Sequence, residues 1–175
     1  MIINSSPLII FGKLDKVDLL KKVLGELIIC EKVYEEVVVN GKKIDSSESF
    51  IIEDAIIKGL IKIKKLESKW KEKADFLQRA YTNLDEGEAE TIALVLQEKQ
   101  KEVLIDERTA RKVAELNGIR AIGSLRILLI GYKSQMINEQ DIREIINKMT
   151  FEKFRVSASV INRFWTLFEK IKKKK

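Results

Sequence analysis

Asp106 ends the apolar run VLI and precedes a helix-forming stretch. Its carboxylate either opens onto the crevice beyond a strand or caps the next helix. Glu88 lies in LDEGEAETIALVL. On a wheel turning about 100° per residue, Ala89, Ile92, Ala93, Val95 and Leu96 define the apolar face, Glu88 sits at its rim and Glu90 points away. A carboxylate beside a buried face needs a cation or hydrogen-bond donors. The competing reading gives Asp85, Glu86 and Glu88 a simpler task, complementing the positive end of a helix dipole. Asn4 is the polar residue closing the apolar opening MII, and Glu35 and Glu36 come after a second apolar run in IICEKVYEEVV. By themselves those two glutamates read as solvated acids on a helix surface.

What these residues can do is bounded by what is missing. The chain has no His, which removes His-based triads, His general bases and His-zinc sites. The single Cys30 excludes a disulfide framework and a Cys-rich zinc site, and it ends an apolar run where a buried thiol belongs. If Asn4, an acid on the next βα unit, an acid opening a helix and Asp106 converge, the ligand set is oxygen only. Such a set suits Mg²⁺ or Mn²⁺. Carboxylates so gathered repel one another unless a cation neutralises them. Phosphodiester hydrolysis is the chemistry such a site serves.

The elements that must position these groups are short strands and longer helices. Residues 1–3, 27–30, 103–105 and 121–122 read as core strands, and 60–66 as an alternating, partly exposed one. Helices are expected from Pro7, around Leu19–Leu24, and over 31–39, 47–59, 68–81, 86–100, 107–116, 125–133, 138–149 and 157–171, with a loop at 40–49. Strands alternating with helices predict an α/β fold around a parallel sheet, with sites beyond the strands' carboxyl ends. A chain of 175 residues, 45% hydrophobic and 34% charged, buries a real core in one domain plus an appendage.

In their order and spacing, the segments IINSSPLI, IICEKVYEEVV, LDEGEAETIALVL, VLIDERTARKVAELNGI and AIGSLRILL make the chain resemble the PIN-domain family. More closely it resembles the stand-alone prokaryotic PIN-like group related to toxin ribonucleases of toxin–antitoxin pairs. The resemblance covers most of residues 1–135 and implies a three-layer α/β/α sandwich. It extends more loosely to helices over 136–175 packed on that domain. It also implies a Mg²⁺- or Mn²⁺-dependent nuclease acting mainly on single-stranded RNA. The family's second, third and fourth acids match Glu36, Glu88 and Asp106, which become the implied catalytic and metal-holding residues. Its first acid and the small hydroxyl residue two positions on match Asn4 and Ser6. Asn4 brings an oxygen but no charge, so metal binding weaker by about tenfold or more is expected. Asn4 alternatively caps the helix near Pro7. A non-catalytic RNA- or protein-binding module is the rival reading for the whole chain. A phospho-acceptor receiver site is disfavoured, since no acidic pair stands near the first strand and no Lys ends a late one.

Ser6, Arg108 and Ser124 are further candidates for binding substrate, Arg108 and Ser124 through its phosphates, Ser124 from a helix N-terminus. Arg111 can do the same, or pair with Glu107 or Glu115 at helical spacing. The net charge is +6, but the last six residues, KIKKKK, carry five lysines, and removing them leaves +1 for the body. The basicity belongs mostly to the tail at 170–175, which can add salt-sensitive RNA affinity. RNA is the expected partner, with an antitoxin protein or a second copy as further candidates. Phe151, Phe154, Phe164, Trp165 and Phe168 form either an interface or the core between terminal helices. No apolar run approaches a membrane span, and the N-terminus lacks a basic signal-peptide start, so a soluble cytoplasmic protein is expected.

Overall fold

In a computed structural model describing residues 1–152, 154 and 156–173, five strands form one parallel sheet. They are β1 (Ile2–Ile3), β2 (Leu27–Cys30), β3 (Ile61–Lys64), β4 (Glu102–Leu104) and β5 (Arg120–Ile122), in the order β3-β2-β1-β4-β5. Ile2 pairs with both Ile28 and Val103, so the two-residue β1 is the sheet's axis. Ile2, Ile3, Leu27, Ile29, Val103 and Leu104 are wholly buried, as strands covered on both faces must be. The edges carry charge instead: Lys62 and Lys64 on β3, Arg120 on β5. Such residues discourage edge-to-edge association.

Helices fill every connection. α1 (Ser5–Lys13) and α2 (Val17–Leu24) lead from β1 to β2. α3 (Glu31–Tyr34) runs into a π-helix (Glu35–Asn40), α4 (Gly41–Lys43) and α5 (Ser47–Ile57) before β3. α6 (Ser68–Ala80) and α7 (Glu86–Gln97) precede β4, and α8 (Arg108–Leu116) precedes β5. α9 (Ser124–Lys133), α10 (Glu139–Phe151) and α11 (Ala158–Lys172) complete the described helices. The three-layer α/β architecture expected from the sequence is present.

The differences are local. The stretch 31–39 is helical, but from Glu35 it winds as π-helix, with one more residue in each hydrogen-bonded turn. Gly41 to Lys43 is helical where a loop was expected. A Cβ at Gly41 would lie 2.0 Å from Ser49 Oγ, so only glycine lets α5 approach there. α1 starts at Ser5, two residues before Pro7, which is tolerated because first-turn N–H groups have no intrahelical partner.

The terminal aromatics divide. Phe164 and Phe168 are buried, Phe168 lies beside Tyr132 at 4.7 Å between ring centroids, and Arg143 lies over the Trp165 ring at 5.0 Å. Phe151 stands out, 85% exposed. The cluster is thus chiefly the core joining α11 to α9. Lys172 of the basic tail is tied to Glu139 at 2.6 Å, while Lys174 and Lys175 lie outside the described residues. No helix among the described residues is long and apolar enough to cross a membrane. Phe168→Ala should cost about 3–5 kcal/mol, read as a melting temperature lower by roughly 10 °C in thermal denaturation; a shift under about 2 °C would show that α11 does not hold the core.

Candidate active site

The strand order places the ends of β1 and β4 side by side. One crossover path leaves β1 toward β2 and the other side of β1 faces β4, which is where a crevice opens in such sheets. The sequence candidates gather around it from four directions. Asn4 comes directly after β1, Glu36 lies on the helical run after β2, Glu88 is in the first turn of α7, and Asp106 stands two residues beyond β4.

Asn4 is buried, and its backbone N–H donates to Leu104 O at 3.0 Å, extending the β1–β4 pairing. It occupies the N-cap position of α1, yet its side chain makes no cap bond. The capping reading therefore gives way to another partner. The Thr91 hydroxyl, with one hydrogen to donate, lies 2.7 Å from Gly87 O and 3.2 Å from Asn4 Oδ1. Asn4 Oδ1 is a weakly engaged oxygen at the crevice floor.

Glu36 is half-buried and receives a 2.5 Å hydrogen bond from Ser5 Oγ. The hydroxyl that reaches the acid is thus that of Ser5. Ser6 sits partly exposed one residue on, and its side chain makes no bond to the acids among the described residues. Glu36 also lies against Gly87: a Cβ there would stand 2.6 and 2.7 Å from its two carboxylate oxygens. The glycine of LDEGE is a steric requirement, since its φ is ordinary. Burial raises the Glu36 pKa above the usual range, opposed by the Ser5 bond and reinforced by Asp85.

Glu88 is buried despite its charge. It forms a capping box with Asp85: Glu88 N–H donates to Asp85 Oδ1 at 2.7 Å, and Asp85 N–H donates to Glu88 Oε2 at 3.1 Å. Burial pushes its pKa up to about 7, helped by the charges of Asp85, Glu107 and Glu36 and opposed by the bond from the Asp85 backbone. Glu36 and Glu88 thus feel each other, and neither forms an ion pair among the described residues.

Asp106 is held apart from that pair. It is not the cap of α8, whose N-cap is Glu107. Ser124 donates to it twice, N–H to Oδ1 at 2.8 Å and Oγ–H to Oδ2 at 2.5 Å. Ser124, the first residue of α9, therefore commits to Asp106 the donors expected for phosphate. Burial raises the Asp106 pKa, against the bonds from Ser124 and the charge of Arg111. Arg111 pairs with neither Glu107 nor Glu115. It donates to Ile105 O at 3.0 Å and Ala121 O at 3.1 Å, bracing the ends of β4 and β5. Arg108 is exposed at the start of α8 and lines the groove that begins at Asp106. Cys30 is buried, its thiol pushed up to about 12 by burial, and has no reactive character.

Among the described residues, no three Asp, Glu or Cys side chains are disposed to hold one metal ion. The structure unites Glu36 and Glu88, and sets Asp106 beyond the neighbouring strand with its own partners. The donor chemistry nonetheless fits a hard divalent cation. All donors are oxygens, Glu36 and Glu88 repel each other, and each carboxylate keeps lone pairs its hydrogen bonds do not use.

Fold and site together define a parallel α/β protein with acidic side chains beyond its strand ends. A family model described as a PIN domain matches residues 1–170, and the chain belongs to the PIN-domain family. Members of that family are typically nucleases and usually employ divalent metal ions. A search of curated proteins returned no match.

Two measurements test this geometry. Glu88 binds its proton more tightly folded (about 7) than unfolded (4.5), so ionising it as pH rises from 4.5 to 7 removes stability. Glu88→Gln should be more stable than the parent above pH 7 by up to about 3 kcal/mol, with the difference gone below pH 4.5, in urea unfolding with EDTA present. Equal stability at both pH values would show that Glu88 is not desolvated. Gly87→Ala, which in an open helix would add about 0.5–1 kcal/mol, should instead destabilise, and Glu36→Ala in the same chain should restore the gain.

Proposed function

We propose that the chain is a divalent-metal-dependent ribonuclease that hydrolyses single-stranded RNA at the crevice above β1 and β4. The observation that supports this is the placement of Asn4, Glu36, Glu88 and Asp106 beyond the ends of the neighbouring strands of a PIN fold, with Glu36 lying against Gly87 next to the buried Glu88. Glu36 and Glu88, with the oxygen of Asn4 and with Asp106 acting through water, are the residues that would hold Mg²⁺ or Mn²⁺. Such an ion offsets the charge that develops on a phosphate under attack by water. The chain's own residues have distinct tasks. Ser5 orients Glu36, the Asp85 box orients Glu88, and Ser124 with Arg111 fixes Asp106 at the end of β4. Glu88, with its pKa near 7, can hold or release a proton at neutral pH.

Asn4 supports a second reading, in which the fold binds RNA or protein without cutting. It supplies no charge, and Thr91 already engages its oxygen. The two readings part on one set of variants. Under the nuclease reading, Mn²⁺ titration calorimetry shows binding to the parent chain, tighter by about tenfold in Asn4→Asp, and RNA cleavage faster in that variant, lost in Asp106→Asn and lost with EDTA. No heat of binding and no cleavage, even in Asn4→Asp, would sink it. RNA or protein binding indifferent to EDTA in an inactive chain would establish the second reading.

A further inference from the structure

A groove of about 1130 Å³ runs from Asp106 and Gly123 between α8, α9 and α11. Its rim carries Arg108 and Lys112 from α8, Arg126 and Lys133 from α9, and Arg163 from α11. All five are exposed, and none makes a side-chain hydrogen bond or ion pair with another described residue. Several cations elsewhere are matched, Lys32 with Glu86, Lys62 with Glu26, Arg120 with Glu102 and Arg143 with Glu139, whereas these five stand around one concavity. Unmatched like charges around one concavity raise its potential and select an anion. Among the described residues lining the groove only Asp106 and Glu115 oppose them, and Asp106 is already held by Ser124.

The floor narrows the class of anion. Leu129, Phe154, Val160, Phe164 and Leu167 line it, with Val160 47% and Leu167 40% exposed along one face of α11. Phosphate alone gains nothing from such a floor. A nucleic-acid duplex hides its bases and would offer it only backbone. A single strand presents both parts, phosphates for the rim and unpaired bases for the floor. Asp106 is part of the groove's lining, so a strand lying in it passes that acid.

We infer that this groove is the track along which a single-stranded RNA segment flanking the cleaved phosphate lies, phosphates on the α8, α9 and α11 cations and bases over the α11 face. This rests on the ribonuclease reading for the identity of the polymer. The residues concerned belong to none of the acid-holding machinery, so binding and cutting are separable.

The test is fluorescence anisotropy with a labelled single-stranded oligoadenylate on the full chain in EDTA, where nothing is cut. The variant Arg126→Ala/Lys133→Ala/Arg163→Ala should bind about tenfold or more weakly, and the slope of log affinity against log salt should fall by about 2, roughly 0.7 for each phosphate no longer neutralised. Its melting temperature should stay unchanged. Val160→Glu, placing an anion on the floor, should also weaken binding. Unchanged affinity and slope in the triple variant would overturn the groove, as would equal binding of duplex RNA or polyglutamate. Cleavage by the triple variant with unaltered KM would overturn it too, leaving the nuclease reading intact. A parent chain that binds the strand through these residues, yet cuts nothing with Mg²⁺ or Mn²⁺, would support the groove and remove the nuclease reading.

Discussion

Two carboxylates, Glu36 and Glu88, are brought partly out of water beside each other, and among the described residues no cation is bonded to either. Burying charge without a partner is unfavourable, and a folded chain tolerates it only where neighbouring bonds compensate or where a ligand completes the arrangement. Here the compensation is partial. Ser5 gives Glu36 one hydrogen bond, and the capping box gives Glu88 one. Both acids remain shifted toward their protonated forms by burial, so the protein compensates their carboxylate charge only in part. This constraint explains why such small features as a glycine and a serine hydroxyl matter so much around them.

The fold meets the constraint with short strands. β1 is two residues long, so Asn4 comes within reach of Thr91 on α7 while its own backbone still pairs with β4. The π-helix after β2 turns Glu36 toward Ser5 and Gly87 while Val37 and Val38 stay buried. On the opposite side, Arg111 holds a carbonyl just beyond β4 and another within β5, and Asp106 is locked to the first turn of α9. The site is therefore asymmetric: a soft, repelling pair on the β2 side and a rigid, hydrogen-bonded acid on the β4 side.

Much of this is legible in the sequence because it is local. Short apolar runs such as MII before Asn4 and VLI before Asp106 mark the buried central strands, and they fall within a residue of where they are expected. The wheel position of Glu88 at the rim of an apolar face foretells its burial, and the strand end foretells the place of Asp106. Glu36 is different. Its immediate neighbours describe a solvated helix surface, and only the family resemblance singles it out. The reason is physical: from Glu35 the turn is π-type, so a wheel drawn at α-helical pitch misplaces the residues beyond that point, and the groove for the carboxylate is made by Gly87, 51 positions away. The Ser5 bond to Glu36, and Arg111 bonded to carbonyls in place of Glu107 or Glu115, escape the sequence for the same kind of reason. Side-chain spacing within one helix cannot show that a different strand offers a better partner.

Charge shows where composition stops being informative. A net of +6 concentrated in a terminal lysine run suggests a nearly neutral body with little pull on a polyanion. Yet association is governed by the local field, and that field depends on which cations remain unneutralised. Ion pairs on β3, α3, α5 and α10 neutralise some of the cations there, while α8, α9 and α11 place unpaired ones around one concavity. A nearly neutral body can thus carry a positive groove, where cations cluster with few acids beside them. That distribution cannot be obtained by counting residues, because it is set by the crossing of three helices remote in sequence. It gives an acidic crevice a cationic approach. Two demands that oppose each other at close range, drawing in a polyanion and keeping carboxylates together for a metal ion, are met because the fold assigns them to different helices.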